Sequence, residues 1–146
     1  MGDCAAHYNL FAGGRTIRLE SVQNANDQAA TAAMSIIGNP TPYRSLPWFW
    51  SNQFNLKLQT VGLSIGHDEV LIRGDPHVRS FTLGYLRNGV LIAVDCVNAV
   101  KDYVQAKSLI QNGALVDQLR FSDPMTPLKE LGSANHLTTT RTIKLV

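Results

Sequence analysis

The fold is decided by the stretch Phe81-Thr82-Leu83-Gly84-Tyr85-Leu86-Arg87-Asn88-Gly89-Val90-Leu91-Ile92-Ala93-Val94. Its apolar residues alternate on both sides of Asn88-Gly89. Phe81, Leu83 and Tyr85 share one face of a first strand, and Val90, Ile92 and Val94 share one face of a second. Asn-Gly between two such runs is the strongest short-range signal of a β-hairpin, because both residues tolerate the positive φ angles of a type I′ turn. The stretch therefore predicts two antiparallel strands.

Two segments before this hairpin also have a period of two. In each, a pair of apolar residues alternates with polar ones: Leu56 and Leu58 with Lys57 and Gln59, then Val70 and Ile72 with Glu69 and Arg73. Alternation of this kind is typical of strands that bury one face of a sheet. We expect both segments to extend the antiparallel sheet.

A helix is predicted after the hairpin. Asn98 is a suitable N-cap and Gly113 a suitable terminator, and between them an apolar stripe at helical spacing comprises Ala99, Tyr103, Ala106 and Ile110. A helix packed on one face of an antiparallel sheet gives an α+β fold. We therefore predict an α+β protein with an antiparallel β-sheet and flanking helices.

An earlier helix is predicted to begin at Ser21, a good N-cap, and to end at Gly38, a plausible C′ residue. One of its faces carries Ala25, Ala29, Ala32, Ala33 and Ile36. The prolines at positions 40, 42 and 47 predict a stiff, extended connector, where we place a domain boundary. The N-terminus before Ile17 is predicted to be a loop. The chain then divides into residues 1–40, residues 41–132, and a tail over residues 133–146 that we expect to be disordered.

Composition excludes several classes of function. The chain has 146 residues, a formal net charge of +2 and 45% hydrophobic residues, which is typical of a globular protein and too close to neutral for an electrostatic nucleic-acid binder. Cys4 and Cys96 form no CxxC pair, so neither a disulfide framework nor a metal site is predicted. No apolar run approaches the roughly 20 residues that span a bilayer. We expect a soluble cytoplasmic protein that binds neither nucleic acid nor membrane.

Six segments, in order along the chain, resemble the landmarks of one family: Gly2–Ala5, Glu20–Ala25, Pro47–Ser51, Val61–Ser64, Ala93–Asn98 and Pro127–Leu131. The family is that of the FAD-dependent, NAD(P)H-linked ferredoxin reductases, which includes putidaredoxin reductase and the reductases of aromatic-ring dioxygenase systems. The resemblance covers the tail of the family's FAD-binding domain, residues 1–40, and its whole C-terminal domain. It implies electron transfer from NAD(P)H through FAD to a [2Fe–2S] ferredoxin.

The resemblance also implies roles for particular residues. Asp3 matches an aspartate that accepts hydrogen bonds from the ribityl chain of FAD, and Val22 matches a position whose backbone meets the pyrimidine side of the flavin ring. Trp48 and Trp50 match an aromatic pair near the flavin and the ferredoxin-docking surface. Glu20 and Gln23 belong to the same motif as Val22 and complete the predicted cofactor-binding set. No catalytic residue and no metal ligand is predicted.

The sequence departs from the family pattern at one important point. It contains no Gly-x-Gly-x-x-Gly, the turn that lets a backbone approach a dinucleotide pyrophosphate. We therefore expect a C-terminal fragment that is inactive alone, whose first forty residues are loosely held because the alanine face has little local structure to pack on. The alternative is a non-catalytic module that binds a ferredoxin or forms a homodimer. Taken without the resemblance, Asp3 is typical of a turn, and the tryptophans are typical of a core.

Overall fold

The computed structural model describes residues 1–133 and confirms the α+β class. A two-stranded sheet comes first, formed by β1 (Ala6–Asn9) and β2 (Arg15–Arg18), and is followed by helix α1 (Val22–Ile36). The main sheet is formed by β3 (Trp48–Gln53), β4 (Leu56–Gly62), β5 (Glu69–Asp75), β6 (Ser80–Arg87) and β7 (Val90–Val97). Helices α2 (Val100–Gln111) and α3 (Gln118–Ser122) follow, then a 3-10 helix at Leu128–Ser133.

The main sheet has the strand order β3-β4-β7-β6-β5, and all of its neighbouring strands are antiparallel. The predicted hairpin joins β6 to β7, its turn residues Asn88 and Gly89 having φ angles of 52° and 76°. Both angles are positive, as a type I′ turn requires, so the predicted turn is confirmed. The predicted face of β7 is wrong, because the pairing with β6 skips Ile92 and Val94 is therefore buried while Val90 is not.

The hydrophobic core lies between the main sheet and helices α2 and α3. Its fully buried members include Val61, Leu86, Leu91, Val94, Phe121 and Leu128. Gly84 of β6 is required at this packing interface, because a Cβ atom there would lie 2.4 Å from Cζ of Phe121. Such a distance is well inside van der Waals contact, so the close approach of α3 to the sheet depends on this glycine.

The predicted stripe of α2 is confirmed, but its predicted cap is wrong. Tyr103, Ala106 and Ile110 are buried, whereas the helix begins after Ala99 without any side-chain cap. Asn98 lies just outside in a left-handed conformation, with φ 51°. Its side-chain amide instead forms hydrogen bonds with distant backbone groups. Oδ1 accepts from the backbone N–H of Lys57 at 2.9 Å, and Nδ2 donates to the carbonyl of Arg79 at 2.9 Å. Because the Asn98 side chain forms these long-range hydrogen bonds, it does not cap α2.

The predicted faces of β5 are reversed. Val70 and Ile72 are 44% and 53% exposed, while Leu71 and Arg73 are buried. Three consecutive apolar residues fit either register, so the alternation could not decide which face is buried. Arg73 is compatible with the core because Asp102 and three backbone carbonyls accept its hydrogen bonds.

Helix α1 has the predicted ends. Ser21 caps its N-terminus, and Gly38 follows it with a φ of 83°. Its buried residues, however, are the polar Gln23, Asn24 and Gln28. The predicted alanine face has exposed members at Ala29, Ala33 and Ile36, the last 83% exposed. Ala25 and Ala32 are half-buried, so this face is only partly covered within residues 1–133.

The N-terminal loop prediction is wrong, because residues 6–18 form the β1–β2 hairpin. A 3-10 helix, Leu10–Ala12, connects its strands, and the Asn9 side chain accepts a hydrogen bond from the backbone N–H of Phe11. Gly13 then turns the chain with a φ of 68°. The boundary near residue 40 stays a prediction, and the predicted disordered tail lies, apart from Ser133, outside the described residues.

Candidate functional site

A cleft of about 100 Å³ lies between the start of α1 and the strands β3 and β4. We call it the helix cleft. Its walls are mainly apolar, and it is lined by Leu19, Glu20, Ser21, Pro47, Trp48, Phe49, Thr60, Gly62 and Leu63. The β3–β4 ladder fixes one wall, since the N–H of Gly62 donates to the carbonyl of Pro47 at 2.9 Å. The cleft therefore joins a helix N-terminus to an aromatic strand.

The polar side of the helix cleft is the first turn of α1. Oγ of Ser21 accepts from the backbone N–H of Asn24 at 3.1 Å, which caps one of the donors that an α-helix leaves unsatisfied. Val22 lies in the same turn and is 68% exposed. First-turn N–H groups and the positive end of the helix dipole favour an oxygen atom or a negative charge at this position.

Gln23 has a positioning role. Its side chain is 6% exposed, and Oε1 accepts from the backbone N–H of Trp48 at 3.4 Å. Nε2 donates to the carboxylate of Asp27. Because both ends of the amide are engaged within the protein, Gln23 holds α1 against β3 and sets the width of the helix cleft.

Asp3 and Glu20 come together through Arg18. Nη1 of Arg18 donates to the backbone carbonyl of Asp3 at 3.0 Å and forms an ion pair with Glu20 at 2.7 Å. The side chains of this ion pair are 55% and 63% exposed, so the pair contributes little to stability. The carboxylate of Asp3 is on the surface, where it is free to accept a hydrogen bond.

A buried polar network attaches the N-terminal segment to α1. Asn24 is fully buried: Nδ2 donates to the carbonyl of Leu19 at 2.9 Å, and Oδ1 accepts from the hydroxyl of Tyr43 at 3.0 Å. Gln28 accepts from the backbone N–H of Gly2 at 2.8 Å. Burial, followed by the nearby charge of Asp27, raises the pKa of Tyr43 above its usual value. The network thus places Asp3 close to the start of α1.

Trp48 and Trp50 lie on the helix-facing side of the main sheet. Trp48 is half-buried against the core, and Nζ of Lys107 lies 5.2 Å from its ring centroid, within cation–π range. Trp50 is 49% exposed and borders an open cleft of about 260 Å³. We call this the Trp50 cleft; its lining also includes Asn52, Lys57 and Gln59. Trp48 therefore has a core role, and Trp50 presents an indole to solvent.

Phe49 was missed by the sequence reasoning. It lies opposite Thr60 in the β3–β4 ladder, is 45% exposed and lines the helix cleft. The signal was present in the segment itself, because alternation along a strand puts Phe49 on the face opposite to both tryptophans. The helix cleft is consequently lined by Phe49 and by part of Trp48, whereas Trp50 faces the other side of the sheet.

Residues 48–132 match the family model described as Reductase C-terminal. The chain belongs to the reductase C-terminal family.

The relatives of this family member confirm the resemblance to ferredoxin reductases. The chain is 60% identical over 134 residues to the 5,5'-dehydrodivanillate O-demethylase ferredoxin reductase subunit of Sphingobium sp., covering 92% of this chain and 32% of that protein. Among solved structures, it matches the ferredoxin reductase for the CYP199A2 system of Rhodopseudomonas palustris at 40% identity, with a TM-score of 0.81 and coverages of 90% and 32%. It also matches the covalent putidaredoxin reductase–putidaredoxin complex at 35% identity, with a TM-score of 0.83 and coverages of 92% and 33%. The chain therefore spans about a third of the length of these relatives.

Other sites are not assembled in the described part of this reductase C-terminal chain. Residues 1–133 contain no group of three metal-ligating side chains and no helix long and apolar enough to cross a membrane. The adjacent side chains of His67 and Asp68 contact turn residues and do not contact each other. The ring Nδ1 of His67 contacts the carbonyl of Ser64 at 2.7 Å, and the carboxylate of Asp68 accepts from the N–H of Asn88 at 2.7 Å.

Proposed function

We propose that this chain is the C-terminal part of a flavin-dependent ferredoxin–NAD(P)+ reductase, a cytoplasmic protein that passes electrons from NAD(P)H through FAD to a [2Fe–2S] ferredoxin. The observation that carries the proposal is the helix cleft, where the start of α1 faces Pro47 and Phe49. Membership of the family supports it, as does the likeness to ferredoxin reductases three times as long.

The residues present fit one edge of a flavin. Phe49, Pro47 and Leu63 offer apolar surface to an aromatic ring, and the first turn of α1 offers N–H donors to ring oxygens. The volume of about 100 Å³ is below the roughly 300–1,000 Å³ of ordinary ligand pockets. The helix cleft would thus cover an edge of the ring, and the rest of the cofactor would need other contacts.

Three residues near the helix cleft would then contact bound FAD. Bound FAD would supply the exchange between a two-electron donor and a one-electron acceptor. The backbone at Val22 and Gln23 would donate hydrogen bonds to the ring edge and stabilise negative charge there. Asp3, held by the Gly2 turn, would accept from hydroxyl groups of the cofactor chain. No proton transfer by a side chain of this segment is required.

The ferredoxin would dock beside the Trp50 cleft. Strands β3 and β4 and helix α2 carry the lysines Lys57, Lys101 and Lys107, and their single carboxylate, Asp102, is engaged by Arg73. This side of the chain is therefore positively charged, and the half-exposed Trp50 supplies the rigid aromatic surface that often anchors protein interfaces. The surface of the ferredoxin that docks on this positively charged side is therefore expected to be acidic.

The proposal can be tested with a chimera. The matching segment of the Sphingobium reductase would be replaced by residues 1–146, and NAD(P)H-dependent reduction of its ferredoxin and of ferricyanide would be measured. We expect the chimera to retain flavin and to reduce both acceptors.

Phe49→Ala should impair flavin retention, whereas Trp50→Ala should raise KM for ferredoxin only, with Tyr8→Ala as an exposed aromatic control. A folded chimera without bound flavin would contradict the proposal.

The second candidate function is a stand-alone module that binds a ferredoxin or forms a homodimer. The Trp50 cleft favours it, because a half-exposed indole beside Lys57 can bind a protein surface without any cofactor. Titrating a [2Fe–2S] ferredoxin into the isolated 146-residue chain distinguishes the two functions. Binding in the absence of flavin, lost in Trp50→Ala, favours the module; binding only by the chimera favours the reductase.

A further inference from the structure

A third cleft, of about 160 Å³, lies between the 3-10 helix Leu10–Ala12 and the β6–β7 hairpin. We call it the Arg87 cleft, and its lining consists of Leu10, Phe11, Arg87, Val90, Leu91, Ile92, Ile110 and Gly113. It shares no lining residue with the helix cleft or the Trp50 cleft. It is therefore a different place on the chain from the two clefts of the proposed reductase function.

The walls of the Arg87 cleft are apolar. Leu91 and Ile110 are 0% and 5% exposed and form its floor, and Leu10, which is 53% exposed, stands at the rim. Phe11 adds an aromatic ring that packs against the core from the N-terminal hairpin. Such walls favour the apolar body of a ligand and contribute no hydrogen bond of their own.

Arg87 is the one charged residue of this lining. Within residues 1–133 its guanidinium forms no ion pair, the pairs there being Arg18–Glu20 and Arg73–Asp102, and it donates no side-chain hydrogen bond. Two glycine turns flank it: Cβ atoms at Gly13 and Gly66 would lie 3.7 and 3.9 Å from Nη1. Because these turns bring no side chain, the guanidinium keeps its donors accessible.

A guanidinium at the mouth of an apolar cleft, with no ion pair of its own among the described residues, is available to bind an anion. The guanidinium fork matches the two oxygens of a carboxylate and binds them through two parallel hydrogen bonds. From the unpaired Arg87 at an apolar cleft of about 160 Å³, we propose that the Arg87 cleft binds a small organic carboxylate with one aromatic ring or a short alkyl chain. The carboxylate contacts Arg87, and the apolar body contacts Phe11 and Ile92.

Benzoate is a probe of the right size and chemistry, and benzamide is its neutral match. The ¹⁵N-labelled 146-residue chain is titrated with benzoate, benzamide and inorganic phosphate while amide shifts are followed by NMR. We expect benzoate to shift the amides of Phe11, Leu91 and Ile92, and benzamide to do so at least tenfold more weakly. Phosphate binding there as tightly as benzoate would identify a simple anion site and overturn the proposal.

Substitutions then test the role of the guanidinium. Arg87→Gln should weaken benzoate binding about tenfold or more, the usual effect of losing a charge-assisted hydrogen bond. Arg120→Gln removes an equal charge from an exposed position and should leave binding unchanged. Leu10→Asp, at the exposed rim, should also weaken binding by placing a competing carboxylate at the cleft. Equal binding of benzoate and benzamide, or unchanged binding in Arg87→Gln, would refute the proposed carboxylate site.

Discussion

At the scale of single residues, Arg73 connects three parts of the fold. It is 5% exposed, and Nε donates to Asp102 at 2.9 Å while its Nη atoms donate to the carbonyls of Phe121 and Pro124, each at 3.1 Å. Asp102 also accepts from Thr82 at 3.2 Å. One side chain thus joins β5, α2 and the segment that ends α3.

We expect Arg73→Ala to destabilise the chain by about 3–5 kcal/mol, because removing one partner leaves a buried carboxylate and buried carbonyls unpaired. Urea unfolding measures this loss. The double variant Arg73→Met/Asp102→Leu should be less destabilised than the single one, since no uncompensated charge remains. Arg120→Ala, at an exposed position, is the control. A loss below about 1 kcal/mol for Arg73→Ala would show that water replaces the lost contacts.

Tyr85 is one of the residues that make the stability of the chain depend on pH in alkali. Burial, and then a hydrogen bond of 2.7 Å from its hydroxyl to Asp95, raise the pKa of Tyr85 to about 12. An unfolded tyrosine has a pKa near 10, so the folded state holds this proton more tightly. The corresponding stability is fully present below about pH 10 and is lost as the pH rises through 12.

Asp95→Asn should lower the pKa of Tyr85 but keep it above 10, because burial is the larger cause. Phenolate absorbance during a pH titration reports the value, and Tyr85→Phe identifies the contribution of this residue. An unchanged pKa in Asp95→Asn would mean that burial alone is responsible.

At the scale of elements, helix α1 is held by polar residues while its alanine face is exposed. Few apolar contacts and much exposed backbone are typical of a unit that opens locally. We expect the amides of α1 to exchange with solvent faster than those of β6 and β7. Strong protection throughout residues 22–37 would contradict this expectation.

The cap of α1 gives a sharper test of the same element. Ser21→Ala should lower the local stability of α1 by about 1 kcal/mol, since it removes the acceptor for the N–H of Asn24. Ser35→Ala, near the other end of the helix, removes only an exposed bond to the carbonyl of Thr31 and should be close to neutral. Hydrogen exchange of the α1 amides measures both variants, and equal effects would argue against a specific role of the cap.

Local signals predicted the two long helices and four strands of the main sheet, whereas features that depend on distant residues could not be predicted. Asn88-Gly89 determines its hairpin through its own φ angles, and Ser21 determines the start of α1 through a residue three positions away. Asn98 and Arg73 depend on partners 41 and 48 residues away, which no local pattern contains. The same limit applies to the site. The resemblance implied a flavin contact at Val22, next to the helix cleft, but which aromatic residue lines that cleft depends on how β3 pairs with β4.

At the scale of the whole molecule, the main sheet has two unlike faces. One packs on α2 and α3, and the other carries apolar side chains that no helix covers in the described part of the chain, apart from the start of α1 beside Phe49. Phe49 and Ile72, on the second face, are 45% and 53% exposed. An antiparallel sheet can leave one face to water, but that face is then usually polar. The apolar outer face and the exposed part of the alanine face of α1 therefore indicate that this chain packs against further protein surface.

The isolated chain should not retain FAD. The helix cleft offers about 100 Å³ and one helix N-terminus, and the sequence contains no Gly-x-Gly-x-x-Gly turn for the pyrophosphate. We expect the purified 146-residue chain, incubated with FAD and desalted, to show no flavin bands in its visible spectrum. The chimera with the Sphingobium reductase, treated in the same way, should show them. If the isolated chain retained flavin and NADH bleached it, these residues would form a complete site. The proposal that the rest of a reductase supplies the remaining FAD contacts would then be wrong.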